Sequence, residues 1–288
     1  MSVDLADINI VKSVLARHGF AFSKSLGQNF LIDSSVCPRM ADAAAKDKSY
    51  GVLEVGPGIG VLTSELSKRA EKVVSVELDK RLLPVLHETL CDCNNVEIVN
   101  DDILKLDLKK LISEKFADCS EVTVCANLPY YITTPILLKV LEETTRIDKM
   151  IVMMQTEVAK RLCGKPSTKD YNALSVLIQY FTNPRIIFNV SPKSFFPEPN
   201  VESSVVMIEK KEEPLLEVKN LDFFLKFNRN IFSQRRKTLY NNIQKAYNYD
   251  KELIKKIIKE NNLDESVRSE ELDVSQIVKL ANDFYINS

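Results

Sequence analysis

Apolar side chains at Leu5, Ile8, Val11 and Leu15 recur at helical spacing until Gly19, which predicts a helix over residues 5–16. A second helix is expected from a Ser34 cap through Met40 and Ala44. From residue 51 the pattern changes to short apolar runs separated by helical stripes. Strands are predicted at Gly51–Val55, Lys72–Glu77, Val96–Val99, Glu121–Ala126 and Lys149–Met154. Helices are predicted between and after them at Val61–Arg69, Asp79–Leu90, Leu108–Phe116, Pro135–Glu142, Thr156–Leu162 and Tyr171–Phe181. Strands alternating with helices at this spacing specify a parallel, doubly wound α/β sheet of the Rossmann-like kind. Two further strands, Arg185–Val190 and Val201–Glu209, have no helix-length segment between them. They are expected to be antiparallel neighbours and to complete a seven-stranded sheet.

Beyond the charged stretch Glu209 to Glu217, which contains Pro214, only helical patterns remain: Leu221–Phe232, Arg235–Tyr247, Lys251–Glu260 and Ser275–Phe284. The expected organisation is therefore an α/β domain at residues 1–210 and a small all-helical domain at 211–288. No apolar run approaches the roughly 20 residues a membrane span needs, and residues 1–7 lack a basic start followed by an apolar stretch. A cytoplasmic protein without a membrane partner is expected.

Composition alters this picture in two places. Average usage would give about 20 glycines at this length, but the chain has seven, and three of them are Gly56, Gly58 and Gly60. The other is cysteine and histidine usage. The six Cys include no C-x-x-C pair, and His18 and His87 stand alone, so neither a zinc site nor a histidine triad is expected. The thiols read as small hydrophobes.

The glycines lie in Glu54-Val55-Gly56-Pro57-Gly58-Ile59-Gly60, between a predicted strand and a predicted helix, where backbone can approach a ligand closely. Glu77 follows 21 residues after Gly56 at the end of the next strand, placed to accept both hydroxyls of a ribose. An adenosine-type cofactor is implied. Dinucleotide enzymes use G-x-G-x-x-G, whereas G-x-G-x-G preceded by an acid resembles motif I of S-adenosylmethionine (SAM) methyltransferases. Asp101-Asp102 follows the third strand, where an acid could accept from an adenine amine.

Asn127-Leu128-Pro129-Tyr130 follows the next predicted strand at the same sheet edge. Methylating an exocyclic amine requires acceptors against the amino hydrogens, because its lone pair is delocalised into the ring. The Asn127 side-chain oxygen and a backbone carbonyl near Leu128 or Pro129 can supply them, with Pro129 stiffening the turn and Tyr130 stacking on an extruded base. Such chemistry calls for alignment rather than a metal or a strong base.

These motifs, together with Ser25-Leu26-Gly27-Gln28-Asn29-Phe30-Leu31, Gln155-Thr156-Glu157-Val158-Ala159, the run Phe195-Phe196-Pro197-Glu198-Pro199-Asn200-Val201-Glu202-Ser203 and Gln234-Arg235-Arg236-Lys237-Thr238-Leu239, resemble the KsgA-type ribosomal RNA adenine dimethyltransferases nearly end to end. The resemblance implies that Gln28, Asn29 and Leu31 lie over the cofactor. It places Gly56 at the methionine portion of SAM with Gly58 beside it, Glu77 at the ribose, Asp102 at the adenine, and Asn127 at both cofactor and target amine. Phe195 would face Tyr130 across the target base. The implied reaction is dimethylation of N6 on two adjacent adenosines in the terminal hairpin loop of small-subunit ribosomal RNA. SAM becomes S-adenosylhomocysteine, no metal takes part, and the substrate is an immature small subunit met by a monomeric enzyme.

A net charge of -1 argues at first sight against RNA. Residues 226–259, however, hold ten basic and two acidic residues, offset by two basic and seven acidic at 260–288 and nine basic and fourteen acidic at 49–125. Neutrality is a cancellation, and the basic stretch is a phosphate-contacting surface in waiting, with Arg235, Arg236 and Lys237 as its expected RNA contacts. Three other readings compete: an Erm-type methylase of large-subunit RNA, a non-catalytic assembly factor on the same fold, and a nicotinamide-dependent dehydrogenase. The intact Asn127, Gly56 and Glu77 disfavour the second, and the glycine spacing disfavours the third.

Overall fold

The computed structural model describes residues 5–20, 29–143, 146–213 and 216–287. Twelve α-helices and nine strands lie within the described residues. The large sheet has seven strands in the order β4-β3-β2-β5-β6-β9-β7. These are β2 (Tyr50–Val55), β3 (Lys72–Glu77), β4 (Val96–Asn100), β5 (Glu121–Asn127), β6 (Ile147–Gln155), β7 (Thr182–Val190) and β9 (Ser203–Lys210). β4, β3, β2, β5 and β6 run parallel, β9 returns antiparallel to β6, and the antiparallel end pair β9 and β7 is as expected. Every residue of β2 is buried, which suits a central strand covered on both faces. β7 lies at the edge of the sheet, the position at which a strand tolerates a proline such as Pro184.

The connections place β3 and β4 on one side of β2 and β5 and β6 on the other, so the strand order reverses between β2 and β5. Ligands of open α/β sheets bind outside the carboxyl ends of the strands at such a switch point. The glycine loop leaves β2 there, and the Asn-Leu-Pro-Tyr turn leaves β5 beside it.

Among the described residues, two of the apolar clusters that pack on this sheet can be traced. One joins Val36, Met40 and Ala44 of α2 (Val36–Ala44) and Leu62 and Leu66 of α3 (Val61–Ser67) to strand residues such as Val52, Ile151 and Val205. The other joins α1 (Ile8–Arg17) and α4 (Leu83–Thr89) to Phe30 and Ile59. α1 begins at Ile8 rather than Leu5 because the Asp7 carboxylate accepts from Asn9 N–H and caps the helix. A two-residue ribbon, β1 (Phe30–Leu31) against β8 (Phe195–Phe196), was not foreseen; it is too short to show any periodicity.

The domain expectation needs correction. The chain divides into two compact units, the first made of residues 1–159 and 185–210, the second of 160–184 and 211–288. A single cut at 210/211 assigned residues 160–184 to the α/β unit. In fact Tyr171, Val176 and Tyr180, at and within α8 (Ala173–Phe181), share a core with Phe224 and Phe227 of α9 (Leu221–Ile231). Tyr180 and Phe224 have ring centroids 5.2 Å apart. The remaining helices of this unit, α10 (Leu239–Ala246), α11 (Lys251–Glu260) and α12 (Val274–Ile286), close the same core through Ile243, Ile254 and Phe284.

A second correction concerns the helix expected from Arg235. α10 starts at Leu239, because the Thr238 side chain accepts from Asn241 N–H and ends the preceding turn. Gln234 to Lys237 therefore form a turn, not the first turn of a helix.

Candidate active site

The loop after β2 carries the backbone that its glycines were expected to permit. Gly58 has φ +61°, and a Cβ placed there would come within 3.1 Å of the Phe30 ring. Gly60 has φ +90°, caps α3, and would drive a Cβ to 2.9 Å from Leu90. At both positions the backbone conformation strains any side chain, and the space around it is tight.

Below the loop Glu54 is buried, with the Thr63 and Ser75 hydroxyls donating to one carboxylate oxygen at 2.7 and 2.6 Å. Burial pushes its carboxyl up to about 7, Ser75 and Thr63 pull it back, and the nearby Glu77 charge adds to the rise. Glu77 ends β3, buried, and accepts from Asp79 N–H at 2.7 Å. Its carboxyl also lies above the usual range because of burial, countered by the backbone N–H groups of Asp79 and Gly58. A carboxylate held this way is oriented by its own backbone, with its remaining acceptor capacity turned to the cavity.

That cavity, about 1200 Å³ including its open mouth, is lined by Asn29, Leu31, Gly56, Gly58, Glu77, Asp102, Asn127, Pro129, Tyr130 and Phe195, among others. Ten of the sequence-predicted residues thus meet at one place. Gln28, a further expected cofactor contact, lies outside the described residues. Asp102 has one oxygen committed to Leu104 N–H at 3.0 Å and the other 3.6 Å from Lys105 Nζ, so it faces the cavity as a partly engaged acid.

The Asn-Leu-Pro-Tyr turn is pinned from several directions. Asn127 ends β5 and pairs with Met153 of β6, and Leu128 N–H donates to the Met153 carbonyl at 3.1 Å. The Pro129 carbonyl accepts from Ile132 N–H at 3.2 Å and from the Thr133 hydroxyl at 3.1 Å, at the start of α6 (Thr133–Glu143). Tyr130 Oη lies 2.7 Å from Ser203 Oγ. Phe195 is held through the β1–β8 ribbon, and Asp33 accepts from the neighbouring Ser194 hydroxyl at 2.8 Å. Phe195 serves both ways: it is 3% exposed within the apolar cluster under α2 and also lines the cavity. Tyr131, which the expected site did not include, stands 55% exposed at the cavity rim.

The model of the ribosomal RNA adenine dimethylase family matches residues 19–284. The chain belongs to this family. It is therefore a methyltransferase that acts on ribosomal RNA adenine. Curated relatives named ribosomal RNA small subunit methyltransferase A, from Bacillus mycoides and Bacillus cereus, are 46% identical over 282 residues, covering 97% of this chain and of each relative. Among solved structures, a dimethyladenosine transferase from Plasmodium falciparum superposes with a TM-score of 0.74 at 25% identity, covering 89% of this chain and 98% of that one. The 23S ribosomal RNA methyltransferase ErmE gives 0.67 at 26% identity over 88% and 99%.

The predicted RNA contacts of the family member divide. Arg236 and Lys237 are exposed and form no ion pair among the described residues. Arg235 instead donates to the Lys169 carbonyl at 2.7 Å and lies 3.3 Å from Glu270, all within the helical unit. The six cysteines are free; Cys37, Cys119 and Cys125 are buried while Cys91 is exposed. His18 pairs with Glu88 at 2.7 Å, away from the cavity lining. Among the described residues no cluster of His, Cys, Asp and Glu could hold a metal ion, and no helix is long and apolar enough to cross a membrane.

Proposed function

We propose that this enzyme dimethylates N6 of two adjacent adenosines in the 3′-terminal hairpin loop of small-subunit ribosomal RNA, using SAM as the donor. The observation that carries the reading is that Asn127, at the end of β5, opens into the same cavity as Gly58 and Glu77, at the strand-order switch point. The donor set fits an adenosylated sulfonium: a carboxylate for ribose hydroxyls (Glu77), an acid for an adenine amine (Asp102), and a loop whose glycines leave room for the amino-acid portion. When bound, SAM supplies an already activated methyl group on a cationic sulfur.

The rest falls to the chain's own residues. Asn127 Oδ1 accepts from one hydrogen of the target amine. Of the two backbone carbonyls considered for the second hydrogen, that of Pro129 is already occupied by Ile132 and Thr133, which favours Leu128. In the first transfer, with both hydrogens held, the nitrogen lone pair turns out of conjugation toward the methyl donor; in the second, one acceptor holds the single remaining hydrogen. Tyr130 and Phe195 take the faces of the extruded base, and unstacking it from RNA is compensated by that contact. No side chain has to remove a proton before transfer, because the product ammonium is acidic and yields its proton afterwards.

Identity of 46% with proteins named for the small subunit, against 26% with ErmE, favours small-subunit over large-subunit RNA. The test is to incubate the protein with labelled SAM and, separately, immature small subunits, naked large-subunit RNA and DNA, then map the modified base. Label at adjacent small-subunit adenosines is expected. Label confined to large-subunit RNA would overturn the substrate assignment, and no label on any substrate would favour a non-catalytic assembly factor.

A further inference from the structure

Tyr130 is the one aromatic of the proposed base sandwich that sits in a turn rather than in a strand. A tyrosine there has two rotatable side-chain bonds, and the turn's backbone contacts fix Pro129 and Leu128 but not the ring. Among the described residues, the phenol has one hydrogen-bond partner, the Ser203 hydroxyl at 2.7 Å. Either hydroxyl can be the donor.

Ser203 is well suited to hold something else still. It is fully buried, opens β9, and pairs with Gln155 at the end of β6. Thr156 N–H donates to the Glu202 carbonyl at 2.9 Å, which locks the chain just before it. Successive strand residues face opposite sides of a sheet. Accordingly Ser204 turns away, its Oγ 2.9 Å from the Thr156 hydroxyl and donating to Asn189 Oδ1 at 2.8 Å, and this bracing leaves Ser203 Oγ directed at Tyr130. The phenol itself is protonated well beyond neutrality, since burial pushes it up more than Ser203 pulls it down.

We infer that Ser203 is a positioning residue for methyl transfer, fixing the Tyr130 ring at the angle that receives the target base. The inference rests on the proposed role of Tyr130 against that base. It links the last residue of the Phe195-to-Ser203 run to the Asn127-to-Tyr130 turn, so a hydroxyl pair fastens the two motifs that flank the base to each other. The two aromatics then form a slot whose width is set before RNA arrives, and the cost of ordering Tyr130 is met in folding rather than in binding.

The test is a double-mutant cycle with Ser203→Ala and Tyr130→Phe, scored by single-turnover methyl transfer to small-subunit particles at saturating SAM. Each single change is expected to slow transfer about three- to tenfold, with SAM affinity unaltered. The double variant is expected to be no slower than the slower single one, because both changes break the same contact. Multiplying losses would mean that Ser203 acts only through packing of β9, and would overturn the inference. So would a Tyr130→Phe protein at the wild-type rate, which decides the matter even if Ser203→Ala folds poorly. Tyr130→Ala separates this failure from that of the underlying reading: full turnover there would remove Tyr130 from the reaction, whereas a dead Tyr130→Ala beside a fully active Ser203→Ala would sink the positioning role alone.

Discussion

The Thr133 hydroxyl donates to the Pro129 carbonyl at 3.1 Å, tying the first residue of α6 back to the turn that carries Asn127 and Tyr130. Thr133 is buried, so water cannot replace the bond if it is lost. Thr133→Val keeps the shape and removes the donor. Stability is expected to fall by about 1 kcal/mol, and the single-turnover rate by about threefold or more, because the Pro129 carbonyl, left with Ile132 N–H alone, can compete with Leu128 for the target amine. Urea unfolding and quench-flow transfer would check the two; unchanged transfer would show that the turn is held adequately by Ile132 alone.

Asn127 is expected to matter for the transfer step and little for the donor. Asn127→Ala should abolish methyl transfer while SAM affinity, measured by calorimetry, stays within about tenfold. Retained turnover would take Asn127 out of the acceptor role and leave the amine without a side-chain partner.

The parts of this site that are contiguous in the chain were legible in it. The strand, glycine loop and helix from Tyr50 to Ser67 are one local unit, and the positive φ of Gly58 and Gly60 is a demand that only glycine meets without strain. Glu77 and Asn127 followed from their place at strand ends. Pairings across long sequence separations were not legible. Nothing in the pattern of Tyr171 to Phe181 says that its apolar face belongs with Phe224 rather than with the sheet, since both cores offer the same kind of surface. Arg235 reads as one cation among ten in residues 226–259, and only the fold reveals the Lys169 carbonyl that claims it. The Tyr130–Ser203 pair joins hydroxyls 73 residues apart, a separation at which no periodicity operates.

Glu54 gives the protein a pH dependence with a definite sign. Its carboxyl lies at about 7 in the folded protein against an ordinary 4.5, so between these values the folded chain holds a proton that the unfolded chain has released. Stability is therefore present in full below about pH 4.5 and is lost as pH rises through about 7. The loss is on the order of 2–3 kcal/mol between pH 5 and 8, and Glu77, raised in the same direction, adds to it. Urea unfolding of wild type and Glu54→Gln at both pH values would test this. The variant should show a visibly flatter profile; equal slopes would mean that water or a relaxed backbone solvates the Glu54 carboxylate.

The turn Gln234 to Lys237 is expected to separate RNA affinity from stability within three adjacent residues. Arg236 and Lys237 are exposed and form no ion pair among the described residues, whereas Lys255 and Lys256 of the same basic stretch lie 3.3 and 3.8 Å from acids of their own helix. Free cations on a turn can reach a phosphate without breaking an existing contact, and each phosphate contact releases about one counterion. The Arg236→Ala, Lys237→Ala double variant should therefore bind its RNA more weakly at low salt, with the slope of log affinity against log salt reduced by about two, and should melt as wild type does. Arg235→Ala should do the opposite. Its guanidinium bridges the Lys169 carbonyl and Glu270, so removing it loosens the helical unit by about 1 kcal/mol while the salt slope stays nearly constant. Binding titrations at several salt concentrations, paired with thermal melts, distinguish the two outcomes. A reduced slope for Arg235→Ala with an unchanged melt would mean that its intramolecular contacts give way to RNA.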